Sequence, residues 1–126
     1  LIFHNSIDFS NISIGNNCHV GKNCFFDLRS AIIIGNNVTI SMNTTIISHI
    51  QLGQSKMKHF YKTKKQNVVI QDGVYIGANC LILMGVKIEY NSLIGASSFV
   101  NKSIPKDCIA YGQPVRVIES KEIADE

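Results

Sequence analysis

Large apolar side chains recur along this chain at intervals of six residues. The series slips by two residues once, after Phe26, and is interrupted once, after Ile46. Its members are Ile14, Val20, Phe26, Ile34, Ile40, Ile46, Ile70, Ile76, Ile82, Ile88, Ile94 and Val100. An α-helix repeats every 3.6 residues and a simple strand every two, so a period of six fits neither. It predicts an all-β parallel β-helix in which each unit is a short strand plus a corner, and three units close one triangular coil.

Two further series carry the same period. Small or short residues lie four places after the large ones: Cys18, Cys24, Ser30, Val38, Thr44, Val74, Cys80, Val86, Ser92, Ser98 and Ile104. A narrow interior requires them, since a large side chain on each strand leaves little volume beside it. Turn-forming residues follow the large ones: Gly15, Gly21, Gly35, Gly77 and Gly95, then Asn17, Asn23, Asn37, Asn43, Asn79 and Asn91. Both residue types tolerate positive φ, which predicts sharp corners.

These series predict a single domain over residues 1–126. The period fails in residues 50–68, which are predicted to leave one corner of the prism as a loop. Residues 106–126 form a C-terminal tail, and the composition of its last part, ESKEIADE, predicts a short helix over the open end of the prism.

Several positions just before the inward residues are apolar and should point out of the prism: Phe25, Ile33, Val69, Tyr75, Leu81, Leu93 and Phe99. Large exposed apolar patches mark interfaces, and a three-sided prism suits a cyclic homotrimer.

Composition narrows the function. A 45% hydrophobic content with 17% charged residues favours a packed domain, and the net charge of +3 is too small to require a nucleic-acid partner. No apolar run would span a bilayer and no signal-peptide pattern opens the chain, so we expect a soluble cytoplasmic protein without stable membrane insertion. The cysteines lack metal-ligand spacing, and no metal is expected.

Residues 14–118 resemble the hexapeptide-repeat acyltransferases of the maltose and galactoside O-acetyltransferase type. The segments that carry most of this resemblance are GASSFVNKSIP and YGQPVRVI. The resemblance implies a left-handed β-helix, trimers with the active site in the groove between neighbouring prisms, acetyl-CoA in that groove and one histidine as general base.

We identify His49 as that base, because it lies where the second coil breaks and the loop departs. A histidine titrates near neutrality and can take the proton of an attacking hydroxyl. Asp27 is expected either to fix its tautomer or to bind the acceptor, and His19 to line the acceptor cleft. In the family Asp or Pro commonly follows this histidine, whereas Ile50 follows it here. His59, within the loop, is the alternative base.

Matching of the family motifs also gives a set of cofactor-binding residues for acetyl-CoA. Ala78 and Ala96 would border the pantetheine, and backbone N–H groups around Gly77 and Ala78 would meet the developing oxyanion. Asn101 and Lys102 would lie near the pantetheine and phosphates, and Arg116 near the nucleotide. The set is Gly77, Ala78, Ala96, Asn101, Lys102 and Arg116.

The loop is basic and contains two adjacent aromatic residues. It carries Lys56, Lys58, Lys62, Lys64 and Lys65, together with Phe60 and Tyr61, and no acidic residue. One hypothesis is that it closes over an anionic acceptor or the CoA phosphates while the aromatic pair stacks on a sugar; the other is that it is a solvated surface segment.

The leading function is acetyl-CoA-dependent O-acetylation of a sugar or polysaccharide-precursor hydroxyl by direct transfer. Alternatives on the same fold are N-acetylation of an amino sugar and acetylation of serine or an antibiotic. A zinc hydrolyase of similar fold would need several middle-coil histidines, and only His49 fits. A non-enzymatic trimeric scaffold is the third class.

Overall fold

The computed structural model describes residues 1–3 and 8–122. Short strands make up most of it: β1 Ile2–Phe3, β2 Ile12–Ile14, β3 His19–Val20, β4 Phe25–Phe26, β5 Ile32–Ile34, β6 Thr39–Ile40, β7 Thr45–Ile46, β8 His49–Ile50, β9 Lys64–Lys65, β10 Val68–Ile70, β11 Tyr75–Ile76, β12 Leu81–Ile82, β13 Lys87–Ile88, β14 Leu93–Ile94, β15 Phe99–Val100, β16 Cys108–Tyr111 and β17 Arg116–Ser120. Two 3₁₀ helices occupy Phe9–Asn11 and Lys56–His59. No helix within the described ranges has the length and apolarity needed to cross a membrane.

Successive strands contribute in turn to three sheets that form the sides of a triangular prism. Sheet 1 contains β1, β4, β7, β12 and β15; sheet 2 contains β2, β5, β10 and β13; sheet 3 contains β3, β6, β11, β14, β16 and β17. All pairings within them are parallel except that of β16 with β17. The chain therefore folds into the parallel β-helix that the hexapeptide pattern predicted, with the left-handed sense that the resemblance implied.

The inward series forms the core. From Phe26 to Val100, its members are at most 2% exposed. Ile14 is 41% exposed, because β2 is the end strand of sheet 2 and no preceding coil covers it. The short residues beside the series are mostly buried as well, including Cys24, Thr44 and Cys80. Three of the four cysteines thus act as small core residues.

Asparagine and glycine are required at the corners for different reasons. All six asparagines of the pattern have positive φ, between 58° and 62°, as expected. The glycines of the pattern do not, so the reason given for them was wrong. They are needed because adjacent coils stack closely: a Cβ on Gly21 would lie 2.5 Å from the Met42 backbone nitrogen, and one on Gly77 2.6 Å from that of Ala96.

The interruption of the repeat is a folded excursion between β7 and β10. Strands β8 and β9 pair antiparallel within it, with His49 opposite Lys65. The Gln66 N–H donates to the Ser48 carbonyl oxygen at 3.0 Å, which closes the base of the excursion. The prediction of an extruded segment over 50–68 thus corresponds to a hairpin that begins at His49 and ends before Val68.

The C-terminal helix was predicted wrongly over the residues that can be compared. Glu119 and Ser120 belong to β17, which turns back antiparallel onto β16; residues 123–126 lie outside the described part of the chain. Strand β16 adds to the end of sheet 3 and presents a row of unpaired backbone groups, which β17 satisfies. Hydrogen bonding to that edge outweighs the helical propensity of a few exposed residues.

Candidate active site

His49 and Asp27 meet at the corner where the hairpin leaves the prism. Asp27 directly follows β4, and His49 begins β8 one coil later. The Asp27 N–H donates to the Ile46 carbonyl at 2.9 Å, which stacks the two coils at this corner. The side chains consequently touch, and His49 Nδ1 is hydrogen-bonded to Asp27 Oδ2.

Asp27 is held as a buried carboxylate. It is only 1% exposed, and it accepts hydrogen bonds from the Ser48 N–H at 3.0 Å and the Arg29 N–H at 3.1 Å. Burial acts to raise the pKa of Asp27, but the hydrogen bonds from Ser48, His49 and Arg29 outweigh it and leave that pKa below its usual value. The group is therefore ionised at neutral pH.

A buried serine locks the corner around this pair. The Ser48 Oγ donates to the Asp27 carbonyl oxygen at 2.6 Å and accepts from the Ser30 N–H at 2.9 Å. Ser48 is fully buried, so these two hydrogen bonds are shielded from water. Asp27 is buried and hydrogen-bonded to the imidazole, a geometry that favours the first of its two expected roles, fixing the tautomer of His49, over binding of an acceptor.

His49 faces a cavity of ≈ 260 Å³ between the corner and the hairpin. The lining residues are Arg29, His49, Gln51, Thr63, Lys64 and Lys65. One of the two hypotheses for the basic loop placed Lys64 and Lys65 near a ligand, whereas Arg29, Gln51 and Thr63 were not singled out from the sequence. Arg29 lies two residues after Asp27 in the same corner, but this position alone does not indicate a ligand-binding residue.

The remaining predicted site residues lie on two edges of the prism. Corner 1–2, between sheets 1 and 2, carries His49 and, two coils further on, Asn101 and Lys102; both of these follow β15 and are exposed. Corner 3–1, between sheets 3 and 1, carries the three small residues that would border acetyl-CoA: Gly77, Ala78 and Ala96. One chain does not bring these two groups of residues together.

The residues of corner 3–1 differ in what they offer a ligand. Gly77 is buried, and its N–H donates to the Ile94 carbonyl at 2.8 Å, so this amide is already part of the ladder. Ala96 is exposed and Ala78 half-buried. The need for glycine at position 77 is structural, while the two alanines leave the corner accessible.

The other candidates lie away from the His49 cavity. His19 points outward from sheet 3, opposite corner 1–2, and Arg116 is exposed at the start of β17. His59 is exposed in the 3₁₀ helix and does not line the cavity. His4 lies outside the described residues. Within the described ranges, no three His, Cys, Asp or Glu side chains form a group that would hold a metal ion.

A family model described as the hexapeptide repeat of succinyl-transferase matches residues 11–48 and 67–102, more than half of the chain. The chain belongs to the hexapeptide-repeat acyltransferase family. The interruption between the two matched segments is the hairpin that carries His49 and Lys65.

Individual relatives have different acceptors in their names. A galactoside O-acetyltransferase of Escherichia coli (strain K12) is 34% identical over 119 residues, covering 90% of this chain and 58% of that protein. A serine acetyltransferase of Staphylococcus epidermidis is 33% identical over 113 residues, covering 90% and 51%. A hexapeptide-repeat acetyltransferase of Vibrio cholerae, solved with acetyl coenzyme A, superposes with a TM-score of 0.82 at 29% identity, covering 90% and 62%. The chain thus spans little more than half the length of these two curated relatives.

Proposed function

We propose that this chain catalyses acetyl transfer from acetyl-CoA to a hydroxyl group of a sugar, with His49 as general base. The observation that carries this proposal is the Asp27–His49 pair at the rim of the cavity. The galactoside acceptor in the name of one relative and the acetyl-CoA in one similar structure support the choice of acceptor and donor.

The proposed chemistry follows from the tautomer of His49. Since Asp27 accepts at Nδ1, the neutral imidazole carries its proton there and its lone pair on Nε2. Nε2 takes the acceptor proton as the oxygen attacks the thioester carbon, and the ionised Asp27 stabilises the imidazolium that forms. As the C–S bond breaks, the imidazolium returns this proton to the CoA thiolate. No acyl-enzyme is needed, since the acceptor oxygen attacks directly.

Acetyl-CoA fits the exposed corner 3–1 better than the His49 cavity. A flexible pantetheine arm needs small residues for close approach, and Ala78 and Ala96 supply them along this edge. When bound, acetyl-CoA supplies the activated acyl group. Because the Gly77 amide is already bonded, the Ala78 N–H is the backbone donor we assign to the developing oxyanion.

Since the base and these small residues lie on different edges, a complete site requires a second chain. We propose a cyclic homotrimer in which corner 1–2 of one protomer faces corner 3–1 of the next. Exposed apolar side chains on the flat sides support it, including Ile33 at 42%, Leu81 at 38% and Leu93 at 40% exposed. A threefold arrangement pairs corner 1–2 of every protomer with corner 3–1 of the next through one repeated contact.

The second candidate function is acetylation of serine, which the Staphylococcus epidermidis relative favours. It uses the same donor and the same base. The two functions require different acceptor-binding groups, because serine carries an ammonium group beside its carboxylate and a neutral sugar carries neither charge.

An acetyl-CoA thiol-release assay tests the proposal, with a panel of neutral and acidic sugars and L-serine as acceptors. We expect sugar-dependent release by the wild type and a loss of roughly 10²-fold or more in kcat for His49→Ala. His59→Ala is the matched control and should retain activity. Full activity of His49→Ala would overturn the assignment of the base, and activity with serine alone would select the second candidate.

A further inference from the structure

We infer that the acceptor is an anionic sugar, bearing a carboxylate or a phosphate, and that Arg29 and Lys65 bind this group beside His49. The inference rests on the proposed function and specifies its substrate class. Three cationic side chains line the same cavity as the base, and no carboxylate is among its lining residues.

The geometry brings Lys65 to the same side of the hairpin as His49. The two residues are directly opposite in the antiparallel β8–β9 pair, and opposite side chains project from the same face of a ladder. Arg29 enters from the preceding coil, where its N–H is fixed by Asp27. Arg29 from the prism and Lys65 from the hairpin therefore line the same cavity as the imidazole.

Among the described residues, these cations have no partner of opposite charge. The described residues form two ion pairs, His49 with Asp27 and Lys121 with Glu119. The Arg29 Nε atom is buried and has no hydrogen-bond partner in the described part of the chain. Nε is itself shielded from solvent, whereas the Arg29 side chain as a whole is half-buried and lines the cavity, so a ligand anion would be bound by the end of the guanidinium that faces the cavity.

The phosphates of CoA do not fit this position. If the thioester lies at His49, the extended pantetheine arm holds the pyrophosphate well away from the imidazole, while Arg29 and Lys65 line the same ≈ 260 Å³ cavity as the base. An anion bound beside the base would then belong to the acceptor. Arginine and lysine are the residues that bind carboxylate and phosphate groups most strongly in proteins.

The cavity also separates sugar acids from amino acids. An acceptor ammonium group would face Arg29, Lys64 and Lys65, and the nearby Asp27 is buried and already holds His49. A zwitterion such as serine would meet repulsion at one end, whereas a sugar carrying only negative charge would not.

The test uses sugars that differ at one carbon: galactose, galacturonate and galactose 6-phosphate, with the glucose series in parallel. Binding to the full chain is measured by calorimetry without acetyl-CoA, and KM by thiol release. We expect at least one acidic sugar to bind about tenfold or more tightly than its neutral parent at low salt, and to lose this advantage at high salt. The carboxylate and phosphate arms identify which anion is preferred.

Variants decide which residues are responsible. Arg29→Gln and Lys65→Gln should each weaken acidic-sugar binding roughly tenfold and leave neutral-sugar binding within about twofold. Lys58→Gln, in the same excursion but outside the cavity, is the matched control, and Arg29→Lys should recover part of the loss. Equal binding of acidic and neutral sugars, or no change in Arg29→Gln and Lys65→Gln, would overturn the inference. Because binding is read without transfer, that result leaves the His49 assay as an independent test of the proposed function.

Discussion

In the proposed mechanism, the chemistry of the site depends on Asp27, which acts through His49. Its two carboxylate oxygens receive the Ser48 and Arg29 amides and the His49 ring. One buried group thus fixes the hairpin, the Arg29 backbone and the imidazole tautomer together. A change at this position should alter catalysis more than it alters the fold.

Asp27→Asn tests this role. The amide keeps the shape of the carboxylate, but it does not stabilise an imidazolium, so we expect kcat to fall by about 10² or more while the KM for acetyl-CoA changes little. Steady-state kinetics over a pH series are the measurement. A loss confined to KM, or an unchanged kcat, would show that Asp27 is structural.

Asp27 should also give stability a pH dependence. Its folded-state pKa lies below the ordinary value, so its contribution is fully present above the unfolded-state pKa of about 3.9 and is lost as pH falls through the lower folded value. The free energies of unfolding of the wild type and Asp27→Asn, measured with urea, should therefore differ at pH 6 to 7. This difference should shrink below about pH 4. A constant difference at all pH values would contradict the assignment of a lowered pKa.

At the level of single residues, the sequence allowed the contact of His49 with Asp27 to be predicted, because both residues stand out against a regular repeat. His49 lies where the series is interrupted after Ile46, and Asp27 is a charged residue directly after a core position. Arg29 could not be singled out in the same way. Its significance comes from the folding back of the hairpin, which places Lys65 and the cavity beside it, and the six-residue period carries no information on that path.

At the level of elements, each corner combines two requirements that the sequence pattern had merged. Asparagine supplies a left-handed backbone, while glycine lets the next coil approach. The periodic strands could be predicted because every coil repeats the same packing problem. The end strand β17 could not be predicted in this way, because it pairs with the free edge of β16, and such an edge occurs once at this end of the sheet.

Asn43 allows the backbone role of a corner asparagine to be distinguished from a role of its side chain. It is exposed, with φ at 60°, and lies next to Met42, which is 56% exposed. Asn43→Ala should destabilise the fold by about 1 kcal/mol because of the left-handed backbone, whereas Asn43→Gly should cost much less. Met42→Ala is the control and should stay within about 0.5 kcal/mol. Equal losses in Asn43→Ala and Asn43→Gly, measured by urea unfolding, would point to a side-chain role instead.

For the whole molecule, the separation of His49 from Ala96 on two prism edges makes a test of the shared site possible. If corner 1–2 of one protomer works with corner 3–1 of the next, His49→Ala removes one half of each site and Ala96→Glu obstructs the other. Each variant alone should be inactive. Co-expressed in equal amounts, they should regain roughly a quarter of wild-type activity, since a random cyclic trimer pairs an intact His49 with an intact Ala96 at that frequency.

Sedimentation must show the mixed species as trimers of the 14.0 kDa chain. Two inactive variants that stay inactive when mixed would place the entire site within one chain, and a stable monomer at micromolar concentration would exclude the trimer itself.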